Sequence, residues 1–371
     1  MSQPLTDTAL DVLLSSTRVG HSEIRNRIAL APMTRVSADH VGNATDTMAR
    51  YYEVFAEGGF GLLITEGIYT DSKHSQGYLN QPGLATTEHA DSWRRLTERV
   101  HGHGATIFAQ LMHAGAQSQG NRFTDAALAP SAVSARGQQL AMYRGSGPYR
   151  SPRPASVEDI AHVRSGFVAA ARRAVDAGFD GVELHGANGY LLDEFLTDYM
   201  NQRSDEYGGS TVNRVRLVRE VISDVLDAVG SQITVGVRIS QAKVADTLHK
   251  WAGGDSDAEI IFSEIGSTGV HFIHTSEFDA SAPAFDGSSW SLAQLATRHG
   301  KVPVIANGSL DDPADAAELL DSGAADIVAL GKSALANRDW PRRVRSGSAL
   351  TRALDPNPLG PLADIKEFEL G

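Results

Sequence analysis

The stretch His185-Gly-Ala-Asn188-Gly-Tyr190 packs three hydrogen-bonding side chains into six residues. A histidine and an asparagine three positions apart can both donate to one acceptor oxygen. The tyrosine two positions on carries a phenolic proton that, at a reference pKa of about 10, stays in place at neutral pH. Together these groups suit a reaction that polarises a carbonyl oxygen while a proton is delivered nearby. The competing reading is structural: His185 caps a helix, Asn188 makes a turn and Tyr190 is a half-buried core aromatic. Such residues are common in loops between strand and helix.

An apolar run, Gly178-Phe-Asp-Gly-Val-Glu-Leu184, precedes the stretch and reads as a buried strand. Similar glycine-bounded runs recur along the chain, separated by segments of helical period. They predict strands at Ile28–Pro32, Gly61–Thr65, Ala105–Leu111, Gly181–His185, Ile233–Ile239, Val270–His274, Val302–Ala306 and Asp326–Leu330. Helices are predicted at Thr47–Glu57, Glu88–His101, Val157–Ala177, Thr211–Ala228, Asp255–Ile265, Ser289–His299 and Pro313–Asp321. The clearest, Val157–Ala177, has Ser156 to cap its start and Gly178 to end it. Eight strands alternating with helices predict one parallel sheet closed on itself, a (β/α)8 TIM barrel forming a single domain over 1–371. A doubly wound open sheet is the alternative, but no Gly-x-Gly-x-x-Gly follows the first strand. The longest irregular stretch, 112–156 after the third strand, predicts a cap or lid over the barrel mouth.

Functional groups in such a barrel gather at the C-terminal ends of its strands. Those ends read Ala31-Pro-Met-Thr34, Thr65-Glu-Gly67, Gln110-Leu-Met-His113, His185 with Asn188, Arg238-Ile-Ser240, Asn307-Gly-Ser309 and Gly331-Lys-Ser333. So many polar residues on one rim point to a polar ligand. The last two ends suit a phosphate. Gly308 and Gly331 permit close approach, Ser309 and free backbone N–H groups donate, and Lys332 brings a point charge to a helix start. Arg238 would be a costly buried cation unless it faced an anion or a carbonyl-rich ring. Gln110, donor and acceptor at once, matches a ring imide such as that of a flavin or pyrimidine.

Composition narrows the partners. The 371 residues, 42% of them apolar, suffice for a sizeable core. The 33 basic and 45 acidic residues leave a formal charge of −12, which argues against a nucleic-acid partner. No uninterrupted apolar run approaches the roughly 20 residues of a membrane span. The segment Met1–Thr8 lacks the basic start and apolar centre of a secretory leader, so cytoplasm is the expected compartment. The absence of cysteine excludes disulfides, thiolate catalysis and cysteine-held clusters. No metal-ligand set is predicted, His101-Gly-His103 reading as surface. A small-molecule substrate is expected, and both a monomer and a homo-oligomer are compatible with the sequence.

Several ordered segments carry a family resemblance: Ala31-Pro-Met-Thr-Arg35, Leu63-Ile-Thr-Glu-Gly67, Gly77-Tyr-Leu-Asn-Gln-Pro-Gly83 and Gln110-Leu-Met-His-Ala-Gly115. The strongest runs from His185 to Leu196 and on through Asn201-Gln-Arg-Ser-Asp-Glu-Tyr-Gly-Gly-Ser210. Over about Asn26 to Pro341 the chain resembles the old yellow enzyme family of flavin-dependent ene-reductases. The resemblance implies non-covalent FMN at the barrel mouth. Pro32, Thr34 and Gly67 would lie along the ring, Gln110 at its pyrimidine end and Arg238 against the charge of the reduced ring. Gly308, Ser309, Gly331 and Lys332 would hold the phosphate. His185 and Asn188 would bind the substrate's carbonyl oxygen, Tyr190 would donate the proton and Tyr78 would line the pocket. The implied reaction uses NADPH or NADH to reduce the activated C=C bond of an α,β-unsaturated carbonyl compound. Hydride goes from flavin to the β-carbon, and a proton from Tyr190 to the α-carbon.

Three features depart from the family pattern. Lys332 stands where arginine is usual, Met112 where many relatives carry tryptophan, and the tail 342–371 matches no family ending. The same flavin chemistry on nitro compounds or nitrate esters, or as a dehydrogenase, would use the same oxygen-binding pair. A flavin-free phosphate-binding lyase or isomerase would need a Schiff-base lysine or metal ligands at the strand ends. Lys332 is the lysine available there, and phosphate is its better use.

Overall fold

The structure, a computed structural model, describes Thr6–Gly371; Met1–Leu5, on which the leader reading partly rests, lie outside it. Eight parallel strands follow the predicted runs: β1 Ile28–Leu30, β2 Leu62–Ile64, β3 Thr106–Met112, β4 Gly181–Asn188, β5 Thr234–Lys243, β6 Phe272–Ser276, β7 Val304–Asn307 and β8 Ile327–Leu330. Each pairs with the next, and β8 returns to β1 in the register Val328↔Ile28, closing the ring. The helices include α1 Asp46–Glu57, α2 Thr87–Gly102, α3 Val157–Asp176, α4 Thr211–Val229, α5 Asp255–Gly266, α6 Leu292–Gly300, α7 Pro313–Asp321 and α8 Trp340–Ser346. The chain is a (β/α)8 barrel, as the alternation predicts. Its strands are buried on both faces, which is why they read as near-continuous apolar runs. Among the described residues no helix is long and apolar enough to cross a membrane.

Local chemistry explains the boundaries. Ser156 accepts from the Asp159 N–H and Asp159 reaches back to the Ser156 N–H, a capping box that starts α3. Gly178, at φ 82°, then takes the left-handed turn into β4. Helix α6 begins three residues later than predicted, because Ser291, not an earlier serine, has a glutamine (Gln294) placed to complete its capping box. Strands β4 and β5 run on past their predicted ends, since Lys243 pairs with Asn188 across an irregularity in β5.

The interior of the ring is filled by one cluster that includes Ala29, Ile64, Phe108, Phe272 and Ile327. Val19 and Ile24 join it from a short antiparallel hairpin, Thr17–Val19 with Ser22–Ile24, at the end of the barrel where β5 begins. The site end is therefore the opposite one. The segment predicted as a cap starts at His113, because Met112 still belongs to β3. It is tied by a small pairing of Leu128–Ala129 with Arg153–Pro154. After α8 the tail crosses back to the loop following β1. There the buried Arg35 guanidinium binds both carboxylate oxygens of Glu369 at 2.7 and 2.6 Å.

Candidate functional site

Two adjoining cavities open at the C-terminal ends of the strands. The first, about 230 Å³, is lined by Pro32, Thr34, Gln110, His185, Asn188, Tyr190 and Arg238, gathered from four strands. Leu140 and Tyr143 reach it from the segment after β3, and Leu359 from the tail. The second, about 540 Å³, is lined by Gly308, Ser309, Gly331 and Lys332 at the ends of β7 and β8, and by Arg352 of the tail. Met33 and Leu359 line both. Two expected residues stand just behind the lining. Gly67 lies against Met112 and Gln110: a β-carbon added there would come within 2.6 Å of Met112 Sδ and 3.5 Å of Gln110 Oε1. Tyr78 sits behind Tyr190 instead of at the cavity wall, with the two hydroxyls 2.6 Å apart.

The His185–Tyr190 stretch is held from several sides. Asn188 has φ 61°, a left-handed conformation that asparagine tolerates better than most residues. Its N–H donates to Ser240 Oγ at 2.8 Å, and its carbonyl accepts from Gln117 Nε2 at 2.9 Å. The next N–H, of Gly189, donates to Asp193 Oδ2 at 2.6 Å, while Lys243 Nζ lies 2.6 Å from Asp193 Oδ1. That ion pair is buried, so its geometry is tightly constrained. The His185 ring lies 4.9 Å from that of Tyr190, and its buried Nδ1 has no protein partner. Burial, with Arg238 and His274 nearby, keeps the imidazole neutral well below its usual pKa. Burial also raises the Tyr190 phenol, which therefore keeps its proton at neutral pH.

Polar groups beneath the cavity orient those facing it. Gln110 Nε2 donates to Glu183 Oε1 at 2.8 Å, and His274 Nδ1 lies 2.7 Å from Glu183 Oε2. With its nitrogen engaged, Gln110 keeps its carbonyl oxygen for a ring N–H. Burial pushes the Glu183 carboxyl up, but His274, Arg238 and Gln110 outweigh it and hold the pKa below the usual value. Arg238 donates to Asn307 Oδ1 at 2.8 Å and Ser276 Oγ at 3.0 Å, leaving its buried Nε without a protein partner. On the β1 side, Glu66 Oε2 accepts the N–H groups of Arg35 and Val36, each at 2.9 Å. These bonds fasten the backbone just beyond Thr34, where Val36 is forced to φ 42°, an outlier for a β-branched residue. Burial pushes Glu66 up to about 7, against the pull of the two N–H donors.

Glu183 and His274 escape a sequence reading of the site, and Glu66, though at a predicted strand end, is given no role by it. The available signal is a carboxylate inside an apolar strand, which must have a partner when buried. His103 is not simply surface: it is half-buried beside Glu53 and Glu57, their ligand atoms within 4.8 Å of one another. Arg50 and Arg99 already neutralise Glu53 there.

A family model described as NADH:flavin oxidoreductase / NADH oxidase matches residues 13–351. The chain belongs to this family. The "Probable flavin mononucleotide-dependent alkene reductase" of Leishmania infantum is 36% identical over 358 residues, covering 94% of each chain. The old yellow enzyme homologue from Zymomonas mobilis superposes with TM-score 0.82 at 32% identity, over 91% of this chain and 94% of that one. Morphinone reductase in complex with tetrahydroNAD superposes with TM-score 0.81 at 29% identity, over 91% of this chain and 92% of that one. Family members are flavin oxidoreductases, and the residues present fit FMN. Two orphaned buried nitrogens, on Arg238 and His185, and an oriented Gln110 oxygen belong to residues of the first cavity, and a cleft with Gly308, Gly331 and two cations adjoins it.

Proposed function

We propose that this flavin oxidoreductase reduces the activated C=C bond of α,β-unsaturated carbonyl compounds, using NADPH or NADH. The observation that carries the reading is the convergence of His185, Asn188 and Tyr190 on one cavity with Gln110 and Arg238. When bound, FMN would supply the hydride chemistry, taking hydride from a nicotinamide and giving it to the substrate. Pro32 and Thr34 would flank its ring, Gln110 Oε1 would accept from its imide and Arg238 would offset its negative charge. Gly308, Ser309, Gly331 and Lys332 would hold its phosphate. The tetrahydroNAD complex of morphinone reductase supports a nicotinamide as reductant.

The protein's own part follows from its charges. A neutral imidazole and the Asn188 amide donate hydrogen bonds to the substrate oxygen and stabilise the negative charge that grows there. Such preorganised donors contribute most where water is excluded. Tyr190, kept protonated by burial, gives its phenolic proton to the α-carbon. Tyr78 holds the Tyr190 hydroxyl in place. The segment 113–156, through Leu140 and Tyr143, serves as the cap that keeps water out. The neutral oxygen-binding pair also favours an uncharged carbonyl over a carboxylate.

The test is a visible spectrum of the purified protein under anaerobic conditions, with NADPH and then 2-cyclohexenone added. A yellow protein that bleaches and then regains its colour supports the proposal. Bleaching without recovery would shift the substrate to another oxidant. A colourless protein that takes up no FMN would overturn the reading.

A further inference from the structure

From Arg352 on, the tail beyond α8 lies outside the segment matched by the family model, which stops at residue 351. Yet it lines both cavities. We propose that the tail is part of the cofactor site, an inference that rests on the FMN reading above. Arg352 is the tail's phosphate ligand, Leu359 is the wall where ring cavity and phosphate cleft meet, and Arg35 is the positioning residue that latches the tail.

The latch is built for one geometry. Arg35 is fully buried, its guanidinium stacked 4.8 Å from the Tyr51 ring centroid and its hydrogen bonds directed to the tail. Besides Glu369 it donates to the carbonyls of Ala363 at 2.9 Å, Pro358 at 3.1 Å and Asp364 at 3.3 Å. Pro358 immediately precedes Leu359, and Arg35 immediately follows Thr34. One side chain therefore sets the distance between two walls of the same cavity. Ser37 Oγ accepts from the Ile365 N–H at 2.8 Å, and the Ala363 N–H donates to the Met142 carbonyl at 2.9 Å, tying the tail to the capping segment as well. At its near end the tail is pinned by Asn337. That amide donates to the Thr351 carbonyl and accepts the Thr351 N–H, both at 2.8 Å.

Arg352 comes next in the chain. The charged residues lining its cleft are Glu277, Asp311, Lys332 and Arg352, so without Arg352 the cleft would be net acidic. An acidic cleft would repel a phosphate; two cations make it receptive. Arg352 now rests on Asp312 at 3.0 Å with 71% of its side chain exposed. Such an exposed pair is weak and screened, and it yields readily to a doubly charged phosphate.

The experiment compares FMN with riboflavin, which lacks the phosphate, on the full-length apoprotein by quenching of flavin fluorescence. Arg352→Ala should speed FMN dissociation about tenfold and leave riboflavin unchanged. Leu359→Ala should weaken both flavins alike. Bound FMN should slow trypsin cleavage after Arg352, and Glu369→Gln should restore fast cleavage by loosening the latch. Thermal melts would show that Arg352→Ala, an exposed change, leaves the fold intact. A wild-type protein that binds both flavins while both variants match it would overturn the tail's role and leave the FMN reading standing. A wild-type protein that binds neither would overturn both.

Discussion

The hydroxyls of Tyr78 and Tyr190 lie 2.6 Å apart, with both rings buried. Burial raises both phenols above their usual pKa, so each remains protonated and one donates to the other. The proton-donor role proposed for Tyr190 therefore depends on its neighbour for orientation. Tyr190→Phe should leave flavin reduction by nicotinamide intact and slow reoxidation by an enone by about 10²–10⁴-fold. Tyr78→Phe should slow the same step by a smaller factor. Stopped-flow absorbance separates the two steps, and unchanged enone turnover in Tyr190→Phe would remove it as the donor.

The oxygen-binding pair proposed at His185 and Asn188 makes a spectroscopic prediction. Phenol-like ligands should shift the flavin spectrum of the wild-type protein, and His185→Ala combined with Asn188→Ala should abolish the shift. Because the buried imidazole is already neutral, affinity for a neutral carbonyl ligand should stay flat between about pH 6 and 9. An inflection near the ordinary histidine pKa would mean that His185 binds as a cation.

Glu183 fixes which end of the Gln110 amide faces the cavity. Glu183→Gln offers a donor where only acceptors stood, so Gln110 can flip. FMN affinity should fall by about tenfold, the scale of one misoriented hydrogen bond. Equilibrium titration with FMN measures it, and wild-type affinity would show that the orientation of Gln110 does not matter.

Lys243 and Asp193 form an ion pair whose side chains are 3% and 0% exposed. Lys243→Met strands a buried carboxylate and should cost about 3–5 kcal/mol in urea unfolding. A loss under about 1 kcal/mol, the value of a surface pair, would show that the site is wetter than its burial indicates.

His113 gives a pH prediction with a definite sign. Burial, only partly opposed by Asp71, lowers its pKa to about 4. The folded state then binds fewer protons than the unfolded one between about 6.5 and 4. Its contribution to stability is complete above that window and lost as pH falls through it. The melting-temperature gap between the wild type and His113→Asn should narrow from pH 7 to 4. A constant gap would mean that His113 titrates normally.

The barrel was legible because its strands and helices differ in period, and strand ends in this architecture are where function collects. Thr34, Gln110, His185, Asn188, Tyr190 and Arg238 could be picked out as polar residues at the ends of apolar runs. Glu183 was harder to see: it lies inside such a run, and only the register of β3 with β4 brings Gln110 beside it, while His274 reaches it from β6. The Thr17–Ile24 hairpin has three-residue strands, too short for alternation to register. The tail carries no periodicity at all. Its position comes from Arg35, more than three hundred residues earlier in sequence, and no local pattern announces that partnership.

Met33 and Leu359 are the residues that the two cavities have in common. Otherwise one cavity belongs largely to the loops after β3, β4 and β5, and the other to those after β7 and β8. Under the proposed reading Gln110 and Arg238 tie the first set to the flavin ring, so substitutions that retune the choice of substrate can accumulate around them while the grip on the phosphate stays under separate selection in the second. Descendants of this chain could drift toward new substrates without renegotiating how they hold the phosphate, provided that two apolar side chains at the seam keep their size.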